Sequence, residues 1–207
     1  MERRWIDSAK VSKCVEIIEN IQRNDPNEKT IIFSQFTSLL DLLEIPISKT
    51  GIKYRRYDGG MSASKRNEAL IDFQENDSIK VLLVSLKAGN FGLNLVAASQ
   101  VIIFDPFYNP FVEFQAIDRA HRIGQQRPVV VHRLVVADTV EDRVLALQEK
   151  KRTLIEGALD ENAQRNVGRL NNRDLGFLFV SLFSSLLVLE LLTWESGNQQ
   201  NDKRLVN

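Results

Sequence analysis

"VLLVSLKAGNFGLNLVAASQVIIFDPFYNP", residues 81–110, is the stretch whose reading decides the fold. It is bracketed by two apolar runs, "KVLLVS" at 80–85 and "QVIIFD" at 100–105. Both are apolar at consecutive positions, not alternate ones. A strand of that kind is covered on both faces, as in a parallel sheet packed between helices. Between the runs lies a loop broken by glycines, "LKAGNFGLN". After the second run comes "PFYNP", where Asn109 suits a helix N-cap and Pro110 the first helical position.

The same alternation extends outward. "TIIFS" at 30–34 is another buried-type strand, "KYRRY" at 53–57 a more polar one, and "VVVHRLV" at 129–135 a fifth. Helical patterns separate them. Residues 8–22 repeat Val11, Cys14, Val15, Ile18 and Ile21 at helical spacing behind a Ser8 cap. Thr37 can cap a helix carrying Leu39, Leu40, Leu42 and Leu43, which Pro46 should end. Ser62 should open a helix to Phe73, and Asn109 one to about Ile123. Asp138 can cap a last helix, with Glu141 placed for a capping box and Val140, Val144 and Leu147 on one face. The expected fold class is α/β, a parallel sheet flanked by helices on both faces. Ligands of such sheets bind at the carboxyl ends of the strands. The loops to watch are therefore "SQF", "DGG", "SLKAG" and "DPFYNP".

Composition excludes more than it assigns. Basic and acidic residues number 27 each, so any anion site must come from local clustering. One cysteine and two histidines exclude an intrachain disulfide and argue against a protein-only zinc site. No stretch matches the triphosphate-binding pattern G-x-x-x-x-G-K-[ST]. "DRAH" at 118–121 superficially resembles a magnesium box, but Arg follows the Asp and the stretch is placed within a helix. The first ten residues carry charge and no apolar run, so they do not read as a secretory signal.

"QAIDRAHRIGQQRP", 115–128, crowds polar groups into one short segment. On a helix, Gln115, Arg119, Arg122 and Gln126 would share a face. Spacing alone leaves two readings. One is a solvated face with Asp118 and Glu113 as neighbours. The other is a site for a polyanion, since guanidinium forks fit phosphate oxygens. "SLKAGNFGLNL" offers backbone N–H groups and a lysine after a buried strand, which suits an anion or is a plain turn.

In chain order, "TIIFSQFTSLLDLLE" (30–44), "YDGGMSASKRNEALIDF" (57–73), the 81–110 stretch, "QAIDRAHRIGQQRPVVVHRLV" (115–135) and "DTVEDRVLALQEKK" (138–151) together closely resemble the second RecA-like lobe of Swi/Snf-family DNA-dependent ATPases, in helicase superfamily two. "RLNNRDLGFLF" (169–179) is similar to the chain end of the helicase-like transcription factor branch, whose members often carry a RING finger. Asn90 stands where the family usually has a second Gly, and Phe107 and Tyr108 where it has tryptophans.

The resemblance implies a RecA-like helicase C-terminal lobe over 1–160, a family-like C-terminal segment over 161–179 and a divergent tail over 180–207. It implies that Arg119 and Arg122 act catalytically on ATP phosphates, with Gln115, Gly92 and Asp118 at the nucleotide. It also implies that Ser34, Gln35, Gly59, Ser85, Lys87, Ala88 and Gly89 meet DNA phosphates. ATP with Mg2+ would be held mainly by a first RecA-like lobe that these residues do not supply. The implied partners are that lobe and double-stranded DNA, with nucleosomes as a further candidate, in a nuclear setting. The alternative is a catalytically inactive remnant that binds DNA or protein.

The apolar run 175–194 has one charge, Glu190, and the length of a membrane span. It is read here as a packed helix or an exposed patch, with no membrane expected.

Overall fold

The computed structural model of the chain describes residues 8–89, 92–156 and 170–179. Five strands form one sheet, in the order β2-β3-β1-β4-β5 and parallel throughout. They are β1 (Thr30–Ser34), β2 (Lys53–Tyr57), β3 (Ile79–Ser85), β4 (Gln100–Ile103) and β5 (Val130–Arg133). Helices α1 (Ala9–Asn24), α2 (Thr37–Thr50), α3 (Ala63–Glu75), α4 (Leu86–Gly89), α5 (Pro110–Ile117) and α6 (Val140–Glu156) connect or follow them. A parallel neighbour needs a crossover, and the amphipathic segments between the strands supply it.

The consecutive apolar runs serve both faces because side chains alternate across a strand. Ile32, Val81, Leu83 and Ile102 pack against α1 and α2 through Val11, Cys14, Ile18, Leu40, Leu43 and Ile47. Ile31, Phe33, Leu82, Val84, Val101 and Ile103 join Phe73 of α3 and Ala116 of α5 on the other face. Each such fully buried side chain contributes about 1.5–3 kcal/mol. Burial pushes the Cys14 thiol up to about 12, so it stays protonated and inert in the core.

Caps and ends agree with the sequence in part. Ser8 Oγ accepts from Val11 N–H, Ser62 Oγ from Lys65 N–H and Asn109 Oδ1 from Phe111 N–H. Pro46 does not end α2. The helix runs on to Thr50 because Pro46 and Ile47 are buried and repay the forgone hydrogen bond, and it stops at Gly51, whose φ of 79° is left-handed. Phe36, not Thr37, occupies the cap position of α2. The last helix is capped one residue later than expected. Thr139 Oγ1 accepts from Glu141 N–H at 3.2 Å, and Asp142 accepts from Thr139 N–H at 3.3 Å. Asp138 instead takes the turn before it, with φ 60°.

Helix α5 ends at Ile117, not near Ile123. Beyond it the chain tightens into short turns, with Arg119 N–H on Ala116 O and Ala120 N–H on Ile117 O. The expected shared helix face of Gln115, Arg119, Arg122 and Gln126 is therefore not formed.

Residues 172–179 form a short helix against α6. Leu178 is buried there, Arg143 donates to its carbonyl at 2.9 Å, and Lys151 pairs with Asp174 at 3.3 Å. No helix among the described residues is long and apolar enough to cross a membrane. Most of the apolar run, with the whole 180–207 tail and residues 161–169, lies outside the described residues.

Candidate functional site

Because every strand runs the same way, the loops leaving their carboxyl ends share one edge of the sheet. Ser34 ends β1 fully buried. Its Oγ donates to Asp105 Oδ1 at 2.5 Å and accepts from Phe36 N–H at 3.1 Å. Gln35 N–H donates to Asp105 Oδ2 at 2.9 Å. One carboxylate from the end of β4 thus fixes the loop after β1. Burial raises the Asp105 carboxyl above its ordinary value, against the bonds from Ser34 and Gln35.

The turn after β2 is held from below. Asp58 is buried, accepting from Gly60 N–H at 2.7 Å and from Arg56 Nε at 2.5 Å. Arg56 also binds Glu44 at 3.0 Å, Asp41, and the Thr37 carbonyl at 3.3 Å, tying this turn to the start of α2. Burial works to raise Asp58, but the Arg56 and Gly60 bonds outweigh it and hold the carboxyl below its ordinary value. Gly59 lies exposed at the tip.

After β3, Ser85 is buried and its Oγ accepts from Ala88 N–H at 3.4 Å, closing the single turn of α4. Leu86 and Ala88 point into the core while Lys87 is exposed, with Gly89 ending the turn. The register Ser34↔Ser85 sets this turn beside the β1 loop. Gly92 follows with φ 50°, a left-handed conformation that favours glycine.

The loop after β4 carries an aromatic pair, Phe107 and Tyr108, with ring centroids 4.4 Å apart. Glu113 anchors it. This carboxylate is fully buried, accepting from Phe107 N–H and Gln148 at 2.7 Å each and from Arg133 Nε at 3.2 Å. It is no neighbour on a solvated face, as the sequence reading allowed. The inward side of α5 is otherwise apolar, and the carboxylate is tolerated there only because donors surround it.

The arginine turn joins the Gly92 segment, and its Ala120 shares a core cluster with Ala88 of α4. Leu95 N–H donates to Arg119 O at 2.9 Å, and Gln125 Nε2 binds the Val96, Ala98 and Ala120 carbonyls at 3.1, 2.8 and 3.2 Å. Arg122, Gln115, Asp118 and Gln126 are exposed. Among the described residues neither Arg119 nor Arg122 has a side-chain partner, and Arg119 Nε is buried without one. The described residues hold no His, Cys, Asp and Glu cluster fit for a metal.

Asp105, Arg56, Asp58 and Glu113 organise these loops, a role that sequence reasoning gave to none of them, setting Glu113 on a solvated face instead. Asp58 and Asp105 each directly follow a strand run, and that position was the available signal.

A five-stranded parallel sheet with this strand order, flanked by helices, is the architecture of a RecA-like helicase C-terminal lobe. The chain belongs to the helicase conserved C-terminal domain family, whose model matches residues 9–124, and its relatives are Swi/Snf-type. It is 51% identical over 177 residues to an ATP-dependent helicase of Schizosaccharomyces pombe, covering 86% of this chain and 17% of that protein. It is 54% identical to helicase-like transcription factor CHR27 of Arabidopsis thaliana, over 73% of this chain and 15% of that one. The human helicase-like transcription factor is 41% identical over 76% of this chain, which spans 16% of it. The chain thus matches less than a fifth of the length of each. The crystal structure of the C-terminal part of the Fun30 ATPase domain superposes with TM-score 0.67 and 38% identity, over 72% of this chain and 47% of that one.

Proposed function

We propose that the chain is the second lobe of an ATP-dependent double-stranded-DNA translocase of the chromatin-remodelling type, acting in the nucleus on free or nucleosomal DNA. Arg119 and Arg122 reach across a cleft to ATP held by a first RecA-like lobe. There they stabilise the charge that develops on the phosphates during transfer. Gln115, Gly92 and Asp118 border the nucleotide. The Mg2+ that offsets phosphate charge falls mainly to the first lobe, which holds the triphosphate. Gln35, Gly59, Lys87 and Gly89 line the edge that grips DNA, and the buried Ser34, Ser85 and Ala88 hold the loops that present it. Contacts of this phosphate-directed type read no sequence, as stepping over any sequence requires.

The observation that carries the reading is the buried Nε of Arg119, unpartnered among the described residues, in a turn where none of those residues gives either arginine a carboxylate partner. A native fold rarely leaves such a donor unused without a reason. The DNA side is tested by Lys87→Ala. Fluorescence anisotropy with a duplex, from about 50 to 200 mM salt, should show weaker binding and a log–log salt slope shallower by about 0.9, one phosphate contact. An unchanged slope would remove Lys87 from the DNA edge.

A further inference from the structure

Phe36 breaks two local rules at once. It occupies the N-cap of α2 with no side-chain cap bond, at a position where Ser, Thr, Asp or Asn is strongly preferred. It is also 51% exposed, although it is one of the larger apolar side chains in the chain. The placement is fixed. Its N–H donates to Ser34 Oγ at 3.1 Å, and its carbonyl accepts from Leu39 N–H at 3.1 Å and Leu40 N–H at 3.4 Å. The backbone is extended, with φ −107° and ψ 115°. Rule-breaking of this kind concentrates at functional positions.

Its surroundings say what it could meet. It follows Gln35 directly, at the carboxyl end of β1. The Ser34↔Ser85 register puts the Lys87 turn on one side of it, two residues beyond each partner. On the other side is the β4 loop, which Asp105 joins to Ser34 and Gln35. An aromatic ring between an exposed cation and hydrogen-bonding loops is the mixture that nucleic acid recognises. Cations and N–H groups take the phosphates, and a ring takes the apolar face of a sugar or base.

We infer that Phe36 is a DNA-contacting residue, its ring lying against deoxyribose or base between the phosphates that the neighbouring loops hold. This rests on the DNA edge proposed above and adds an apolar contact to it. An apolar contact releases no counterion, so its signature differs from that of Lys87.

The test measures duplex affinity and thermal stability of the 207-residue chain with Phe36→Ser and Phe36→Tyr. Serine supplies the missing cap and offsets the lost partial burial, so the midpoint should stay within about 3 °C of wild type. Affinity should fall about fivefold or more with the salt slope unchanged, and tyrosine should restore it. A midpoint drop well beyond about 5 °C would make the ring a packing element and overturn the inference. So would unchanged affinity in Phe36→Ser, including the case where only association with a first lobe weakens. If the wild-type chain fails to bind duplex even at low salt, the DNA edge itself falls. If it binds and only Phe36→Ser is silent, the edge stands and this inference alone fails.

Discussion

Joined to its first lobe, Arg122→Ala is expected to lose DNA-stimulated ATP hydrolysis by about a thousandfold or more, the range that arginine fingers supply. Duplex affinity without nucleotide should stay within about twofold, because the loops proposed to meet DNA and the arginine turn are different segments. The side chain is exposed and has no protein partner among the described residues, so its removal should not disturb the fold. Arg122→Lys should recover little, since an ammonium keeps the charge but not the planar fork. Arg119→Ala should behave similarly in turnover. Steady-state hydrolysis at saturating DNA, beside anisotropy without nucleotide, separates the two effects. Normal hydrolysis by Arg122→Ala would take the turn away from the phosphates.

Glu113→Ala is expected to lower the unfolding free energy by about 3 kcal/mol. Nothing in the core replaces the carboxylate. The Phe107 N–H loses its acceptor, and the Gln148 amide loses one of two, keeping only the Phe107 carbonyl at 2.5 Å. Arg133 is 40% exposed and can turn to solvent, so its share is small. Glu113→Gln should be milder, because the amide oxygen still accepts one of the two buried donors. Urea unfolding should show a lower midpoint with unchanged m. A Glu113→Ala midpoint equal to wild type would mean that the network around Phe107 contributes no stability.

The fold was legible because its signal is strong. Uninterrupted runs such as "VLLV" and "VIIF" require cover on two faces, and the sheet gives Ile31 to one side and Ile32 to the other. What misled was punctuation. Pro46 reads as a stop, yet tertiary burial of Ile47 carries α2 past it. The segment 115–126 reads as one helix by spacing, yet its arginines leave it after Ile117, where the turn bonds to Leu95 and Gln125 take over. Those bonds join residues distant in sequence, and periodicity carries no trace of them. The anchoring roles of Asp105 and Glu113 escaped notice for the same reason. A buried carboxylate is written like an exposed one, and only its partners from other strands and helices distinguish it. Ser34, Gln35, Ser85 and Lys87 were singled out through motif order alone, and the parallel register sets Ser34 beside Ser85.

The claim that this lobe completes an ATP site rather than owning one is tested most directly by turnover of the 207-residue chain, measured with duplex DNA, alone and then linked to a first lobe from a Swi/Snf-type relative. Alone it should hydrolyse no ATP above background, since it has no P-loop and arginine fingers only assist an assembled site. Linked, it should show DNA-stimulated turnover that disappears with Arg122→Ala. Turnover of about 1 s⁻¹ by the rigorously purified chain alone, the low end of ordinary enzyme rates, would contradict it.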